Sequence, residues 1–195
     1  MGPGLHLEKK AIRALGVAES FKKDQKLSTL AGVVIRSDLV IDGFAAGTLK
    51  VSGSDATKSI LRLFSDLKRN DVNAVMISGS VLSLYNVLDI DTIFAELEIP
   101  VIALSFRRSA SDLASNVRAK FSAKIARAKI ELLEKLGEAE KIRLNTGYDV
   151  FVRTAGMSQN TSKRLLDKFT LQGAIPEPIR VARLLAKTIA PLGEK

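Results

Sequence analysis

Two short runs of apolar residues organise the pattern of hydrophobic and polar positions along this chain. Residues 74–77 and residues 101–104 contain no polar side chain, which is typical of strands that are buried on both faces of a sheet. Between them, residues 89–98 carry apolar side chains at the spacing of an amphipathic helix. This order predicts two parallel strands joined by a crossover helix, and ligands commonly bind at the carboxyl ends of such strands.

The residues that precede these two runs predict three antiparallel strands. Residues 11–19, 29–36 and 39–51 are rich in apolar side chains over strand-like lengths, and the links between them are short and polar. Sequential strands with short links form a meander, because antiparallel neighbours need only a tight turn between them. A helix is predicted over residues 56–68, and Asp55 or the serine before it can cap the first free amides.

The residues after the second apolar run predict mostly helix. Residues 114–136 read as one long helix, because they are rich in Ala, Lys, Glu and Leu. Two short strands, 141–145 and 149–154, and two further helices, 158–170 and 179–190, complete the predicted elements. The expected buried stripe of the long helix consists of Val117, Phe121, Ile125, Ala128, Leu132 and Leu136.

This order of elements predicts the fold class. Three antiparallel strands come first and helices then alternate with parallel strands, which indicates an α/β fold with a mixed sheet and helices on both faces. The chain shows no internal repeat and no change of composition that would mark a domain boundary. We therefore expect a single domain over residues 1–195, in which residues 1–10 form a loose N-terminal arm.

The composition argues against several kinds of catalysis and against a membrane location. The chain has no cysteine and a single histidine, His6, near its first residue. A thiolate nucleophile and a cysteine-based zinc site are therefore absent, and neither a Ser-His-Asp triad nor a histidine-rich zinc site is expected. No apolar run approaches the roughly 18 residues of a membrane helix. The first ten residues also lack the apolar core of a signal peptide, so we expect a cytoplasmic protein.

The net charge of +9 points to a polyanionic partner, most often a nucleic acid. The excess is unevenly placed, because Asp112 is the only acid among the many basic residues between 107 and 129. We expect these side chains to contact phosphates of RNA or DNA, although a solvated helix face would also be rich in charge. The candidate patch consists of Arg107, Arg108, Arg118, Lys120, Lys124 and Arg127.

Small polar residues, and no charges, follow the first apolar run. Ser78 and Gly79 offer a hydroxyl and backbone amides to a phosphate or to the edge of a base. Tyr85 and Asn86 offer a ring for stacking and an amide for hydrogen bonding, as in the recognition of single strands. For this second pair, packing against the sheet is an equally good interpretation.

Five segments of the chain resemble one protein family in order and spacing. They are GVAES, IDGFAAGTLKVSGSDAT, MISG, YNVLDI and IPEPIRVARLLA, which begin at residues 16, 41, 76, 85 and 175. The resemblance is to the archaeal domain of unknown function ninety-nine family, which is similar to endonuclease V and shares its ribonuclease H-like fold. It extends over nearly the whole chain and implies an archaeal source.

The resemblance also implies where a metal would bind. Endonuclease V cuts a nucleic-acid strand with magnesium held by carboxylates, because this hard ion prefers oxygen ligands. One carboxylate lies on the first strand, one near the start of the first helix and one at the end of the fourth strand. Here the first position is Ala18, followed by Glu19, and the last is Ser78, whereas Asp55 keeps its carboxylate near the helix start. Two of the three expected acids are therefore missing.

Three functions remain open from the sequence. The first is a nucleic-acid-binding protein on an endonuclease V-like scaffold, with degenerate catalytic carboxylates and no cofactor. The second is an active magnesium-dependent endonuclease that uses Glu19 and Asp55 as metal ligands. The third is a non-catalytic subunit whose basic surface binds an acidic protein partner. Whether the protein is an enzyme is not decided by these residues alone.

Overall fold

The computed structural model describes residues 11–22, 25–107 and 112–190. Its first part is an antiparallel meander, in which β1 (Arg13–Ser20) pairs with β2 (Leu27–Arg36) and β2 pairs with β3 (Ile41–Lys50). Helix α1 (Ala56–Asp66) follows. β3 has one neighbour only, so it forms an edge of the sheet.

Parallel strands are added on the other side of β1. β4 (Ala74–Ser78) lies parallel to β1, and β7 (Val101–Ser105) lies parallel to β4. Between β4 and β7 the chain forms a small separate hairpin, β5 (Val81–Leu82) with β6 (Asn86–Val87), and then helix α2 (Ile90–Leu97). The two apolar runs are therefore buried parallel strands with a crossover helix, as the sequence predicts.

The last part of the chain returns to antiparallel pairing. β9 pairs with β7, and β8 pairs with β9, so the order in the seven-stranded sheet is β3-β2-β1-β4-β7-β9-β8. The prediction of a mixed α/β sheet is confirmed. The elements of this part are α3 (Leu113–Lys120), α4 (Ala123–Leu136), β8 (Glu140–Arg143), β9 (Asp149–Ala155), α5 (Gln159–Phe169) and α6 (Glu177–Ile189).

Helices cover both faces of the sheet, each over its own apolar cluster. Helices α1 and α2 pack on one face, and α5 and α6 pack on the other. Successive side chains of a strand point to opposite faces. Val17 of β1 therefore belongs to the α1 cluster, whereas Ala18 belongs to the α6 cluster. This alternation determines which helix can reach each residue at the carboxyl ends of the strands.

The prediction of one long helix over residues 114–136 is wrong. α3 ends at Lys120 and α4 begins at Ala123, because Phe121 adopts an extended backbone with φ −115° and ψ 155°. The break allows the ring of Phe121 to pack edge-on against Tyr85, with 5.6 Å between the ring centroids. The predicted buried stripe is correct at Val117, which is fully buried, but it is wrong at Ile125, which is exposed, and it omits Lys129, which is buried.

Helix α6 begins at Glu177, two residues earlier than the sequence predicts. Pro178 lies in its first turn, where the missing N–H of proline has no helical partner to lose. The start of α6 lies directly on β1, because a Cβ at Gly16 would overlap the backbone carbonyl group of Pro178. The predicted N-terminal arm, residues 1–10, lies outside the described residues. None of the described helices has the length and apolar character needed to span a bilayer.

Candidate functional site

The carboxyl end of β4 is joined to helix α6 by two hydrogen bonds. Arg183 of α6 donates from Nε (3.0 Å) and from Nη2 (2.8 Å) to the hydroxyl oxygen of Ser78. Ser78 points towards α6 because it shares a face with Met76, which belongs to the α6 cluster. The guanidinium group also lies over the ring of Phe106, 4.4 Å from its centroid. Arg183 is thus fixed by a hydroxyl group and an aromatic face.

An open cavity of about 640 Å³ surrounds this pair. Its walls come from the ends of β4 and β7 and from the link that precedes α6, and they include Ser78, Gly79, Ser105, Arg107 and Ile175. The cavity therefore lies at the carboxyl ends of neighbouring parallel strands, where α/β sheets commonly bind ligands. Arg107 is exposed and lies at its rim, so it can meet a ligand that enters from solvent.

Arg183 contacts Ser78, the strand-end position where the resemblance implies a carboxylate. Val17 pairs with Ile77 across β1 and β4, so Ala18 and Ser78 are the next neighbours along these strands. Both point towards α6, and neither is a carboxylate. In the described part of the chain Arg183 forms no ion pair, and burial lowers the pKa of its guanidinium group. The guanidinium group of Arg183, which has no counter-ion among the described residues, therefore lies beside a position where an acid is expected.

A second arginine binds the same loop from the opposite face of the sheet. Arg153 of β9 donates to the hydroxyl oxygen of Ser80 (3.0 Å) and to the carbonyl oxygen of Gly137 (3.0 Å). Burial lowers the pKa of this guanidinium group as well. The described residues contain no carboxylate that pairs with Arg153. Two guanidinium groups therefore hold the loop of residues 78–80 between them.

The backbone amide of Gly79 is not free to bind a ligand. It donates to the carbonyl oxygens of Leu104 (2.8 Å) and Ile77 (3.0 Å). Gly79 adopts a φ of +106°, which a residue with a side chain rarely tolerates. Its contribution is therefore the sharp turn that ends β4, and not the phosphate-binding amide that the sequence suggested.

The side chain of Asn86 has a structural task. It is fully buried, its Oδ1 accepts from the amide of Ala56 (2.9 Å), and its Nδ2 donates to Asp55 (2.7 Å) and to the carbonyl oxygen of Lys50 (2.9 Å). Its hydrogen-bonding groups thus join the end of β3 to the start of α1. Packing, which was one of the two interpretations of this residue, describes Asn86, and the side chain cannot also bind a base without leaving these partners.

Tyr85 belongs to a cluster of aromatic and basic side chains. Lys120 lies over its ring, with Nζ 4.8 Å from the centroid, and Lys129 lies 4.9 Å from the centroid of Phe121. Lys129 is only 2% exposed, and it donates to the carbonyl oxygens of Gly53 and Tyr85. Burial lowers the pKa of its amine, while Asp55 acts in the opposite direction. Lys129 therefore fastens α4 to the loop that carries Tyr85.

Glu19 and Asp55, the two candidate metal ligands, both accept hydrogen bonds from the protein. Glu19 lies on the α1 face of β1, away from Ser78, and accepts from the amide and hydroxyl of Ser83 and from Ser28 Oγ (2.7 Å). Both oxygens of Asp55 accept from the amide of Lys50 (3.2 Å each). Among the described residues no three His, Cys, Asp or Glu side chains group as metal ligands. The residues present therefore do not fit a magnesium ion held by three carboxylates.

The basic residues predicted to bind nucleic acid occupy two places. Arg107 is at the rim of the cavity, and the basic residues of α3 and α4 are exposed on those helices. Arg127 pairs with Glu131 at 2.8 Å, and Lys120 reaches Tyr85. Arg108 lies outside the described residues. The helix residues are Arg118, Lys120, Lys124 and Arg127.

Comparison with known proteins assigns the chain to a family. A family model described as Endonuclease dU matches residues 10–190. The chain belongs to the endonuclease dU family. A UPF0215 protein of the archaeon Pyrobaculum calidifontis is 32% identical over 175 residues, which cover 90% of this chain and 95% of that protein. A UPF0215 protein of Pyrobaculum aerophilum is 32% identical over 172 residues, covering 88% of this chain and 91% of that protein.

Solved structures show the same scaffold as this endonuclease dU family member. A protein of unknown function from Archaeoglobus fulgidus has a TM-score of 0.78 at 23% identity, covering 91% of this chain and 98% of that one. Human endonuclease V has a TM-score of 0.61 at 15% identity, covering 91% and 84%. Ciona intestinalis endonuclease V, solved with an inosine-containing DNA, has a TM-score of 0.59 at 14% identity, covering 92% and 85%. The suspected family is confirmed, and the chain has the ribonuclease H-like fold of endonuclease V.

Sequence reasoning misses three residues of this endonuclease dU family member. Arg183 and Arg153 contact the loop after β4 from elements that lie 105 and 73 positions away along the chain. The only signal for Arg183 is that a charged residue borders the apolar stripe of α6. The sequence gives no signal for Lys129, because it lies outside the predicted apolar stripe, at a position where a solvated lysine is expected.

Proposed function

We propose that this protein binds single-stranded or locally unpaired nucleic acid and does not cleave it. The observation that carries the proposal is the guanidinium group of Arg183, which lies beside Ser78 at the carboxyl end of β4 without a carboxylate partner. In a metal-dependent nuclease this place would hold acids and a cation between them and the phosphate. Here the cation belongs to the protein, so a phosphate oxygen can bind it directly.

The surroundings of Arg183 suit a nucleotide. The cavity is open, has apolar walls from Phe106 and Ile175, and carries Arg107 at its rim. The apolar walls can accept a base or a ribose, and the two guanidinium groups can accept one or two phosphates. The net charge of +9 adds a long-range attraction for any polyanion.

A second surface can hold the continuing strand. Tyr85 with Lys120 over its ring offers a stacking platform, and Arg118, Lys124 and Arg127 add exposed positive charge on α3 and α4. Base stacking on an aromatic ring is tolerant of sequence, because every base has a π face. The Ciona structural neighbour was solved with DNA, which supports the choice of a nucleic acid over an acidic protein.

Binding is tested by fluorescence anisotropy with labelled single-stranded RNA and DNA at several salt concentrations. We expect binding at low salt with a steep fall as salt rises, because bound phosphates displace counterions. Arg183→Gln should weaken binding about tenfold and reduce the salt slope by about one, as expected for a lost phosphate contact. Lys187→Gln, at an exposed position one turn further along α6, is the matched control and should bind like the wild type. A wild-type protein that binds neither RNA nor DNA at low salt would exclude the proposal.

The endonuclease dU family supports one rival, a magnesium-dependent endonuclease that uses Glu19 and Asp55. The same substrates, incubated with and without Mg²⁺, separate the two functions. We expect no cleavage, because the expected carboxylate positions are Ala18 and Ser78. Magnesium-dependent cleavage that is lost in both Glu19→Ala and Asp55→Ala would establish the rival function.

A further inference from the structure

The outer side of β3 carries backbone groups that no other strand uses. The amide of Val51, just beyond β3, donates to the carbonyl oxygen of Lys26, so the odd-numbered residues of this strand pair with β2. Backbone groups of alternate residues in an antiparallel ladder point to opposite sides. The N–H and C=O groups of Phe44, Ala46 and Thr48 therefore point outward, and in the described part of the chain they have no hydrogen-bond partner.

Side chains close both ends of this outward-facing row. At one end, the guanidinium group of Arg69 donates to the carbonyl oxygen of Asp42. At the other end, Asp55 accepts from the amide of Lys50, and Asn86 donates to the carbonyl oxygen of Lys50 (2.9 Å). The open segment consequently has three outward-pointing residues, and Ala46 is the central one.

The side chains next to this segment are apolar and uncharged. Phe44 is 57% exposed and Ile41 is 45% exposed, although both lie on the face that α6 covers further along the sheet. Residues 43–49 carry no charge. Soluble proteins usually protect a long edge strand with charges or prolines, because an open edge recruits another strand. Nothing of this kind protects the centre of β3.

We propose that β3 pairs antiparallel with β3 of a second copy of this chain, with Ala46 opposite Ala46. In this register Phe44 lies opposite Thr48 of the other copy, and each copy contributes three N–H and three C=O groups to six hydrogen bonds. The next pairs would join Asp42 to Lys50, whose outward groups are already occupied. The ladder therefore ends where the free groups end.

The self-matching of the open segment favours a second copy over an unrelated peptide. A two-fold axis through Ala46 satisfies every free group of both strands, which is the property of an isologous interface. The methyl group of Ala46 allows close approach at the axis. Phe44 would pack beside Thr48 and Ala46 of the other copy, which covers the exposed ring. The axis lies at the edge opposite β9 and β8, so the cavity beside Arg183 remains open.

Sedimentation of the purified full chain tests the pairing. We expect the mass of two chains, and the mass of one chain for Ala46→Pro and for Phe44→Lys. Proline removes the central outward N–H, which β2 does not use, and lysine places a charge at the interface. Leu171→Lys, at a residue that is 62% exposed after α5, is the matched control and should remain dimeric. A wild type that is monomeric at every concentration, or a dimer that survives both β3 variants, would overturn the proposal.

Engineered cysteines test the register, since the chain has no cysteine of its own. Two residues that face each other in a hydrogen-bonded antiparallel pair have Cα atoms about 5.5 Å apart, within the range of a disulfide. Ala46→Cys should therefore form a covalent dimer on mild oxidation. Thr48→Cys should not, because its counterpart lies roughly 13 Å away at about 3.3 Å per residue. Cross-linking through Thr48→Cys alone, or none through Ala46→Cys, would contradict this register.

Loss of the dimer is distinguishable from failure of the proposed nucleic-acid function. Phe44→Lys should bind single-stranded RNA or DNA at least as well as the wild type, whereas Arg183→Gln should remain dimeric. The test of β3 pairing therefore does not depend on which ligand binds in the cavity.

Discussion

Arg183 and Ser78 are joined by two hydrogen bonds at the carboxyl end of β4, although they lie 105 positions apart in the sequence. In the endonuclease V pattern that the sequence resembles, the Ser78 position carries an acid and the local charge is negative until a metal binds. In this chain the same position carries a hydroxyl group and faces a guanidinium group. The local charge is therefore positive without any metal, which suits direct contact with a phosphate.

Ser78→Asp should remove this positive site. The new carboxylate would form a charge-assisted pair with Arg183, so a phosphate would have to compete with a permanent internal anion. We expect the affinity for single-stranded nucleic acid to fall about tenfold, which corresponds to one lost contact to a charged group. Ser78→Asn, which is similar in size but uncharged, is the matched control and should bind within about threefold of the wild type. Equal binding by Ser78→Asp and the wild type would show that this pair does not face the ligand.

Lys129→Met should destabilise the fold. The side chains are similar in length, but methionine cannot donate to the carbonyl oxygens of Gly53 and Tyr85, which Lys129 now satisfies. A buried acceptor that loses its partner costs about 1–3 kcal/mol. Thermal denaturation should show a decrease of several degrees in the melting temperature. Lys124→Met, at an exposed position of the same helix, should melt like the wild type.

Particular residues show how far the sequence predicts this structure. The strands β4 and β7 are predictable, because an unbroken apolar run indicates a strand that is buried on both faces. The crossover helix α2 is predictable from the helical spacing of its apolar residues. The division of α3 from α4 is not predictable in this way. Lys120 and Ala123 beside the break favour a helix. Neither they nor Ser122, the N-cap of α4, reveals that the ring of Phe121 packs against Tyr85.

The candidate site was predictable in position but not in chemistry. The sequence indicates that Ser78 ends a parallel strand and that acids are missing beside it, since both follow from local pattern and family motifs. It does not indicate that Arg183 lies beside Ser78, because the contact depends on how α6 is placed over β1. Asn86 illustrates the opposite case, because the motif draws attention to a residue whose contacts are structural. Its side chain accepts a hydrogen bond from the amide of Ala56, at the start of α1.

The ion pairs around Asp42 should make part of the free energy of unfolding depend on pH in the acid range. Hydrogen bonding to Arg13 (2.5 Å), assisted by Arg69 (2.9 Å), holds the pKa of Asp42 below its ordinary value of 3.8. A depressed folded-state pKa contributes stability that is complete above the ordinary value and is lost as the pH falls towards the folded-state value. Asp42→Asn should therefore melt below the wild type at neutral pH, with a difference that narrows as the pH falls below 3.8.

Asp66→Asn is the control for this acid dependence. Asp66 is exposed at the end of α1 and forms no ion pair within the described residues. Its substitution should leave the melting temperature close to that of the wild type at each pH. A constant difference between Asp42→Asn and the wild type across the acid range would contradict the assignment to the carboxylate of Asp42.

Gly16→Ala should separate α6 from the sheet. A Cβ at this position would overlap the backbone carbonyl group of Pro178, and backbone atoms in a helix cannot yield as a flexible side chain can. Overpacking of this kind typically costs about 1–3 kcal/mol, and we expect a melting temperature lower by several degrees. Because α6 also carries Arg183, the displacement should weaken nucleic-acid binding as well. Gly47→Ala, in β3, is the matched control: its Cβ would approach only Leu63 Cδ1 at 3.7 Å, an ordinary contact. If Gly16→Ala melts like Gly47→Ala, then the start of α6 does not lie in contact with β1 at Gly16.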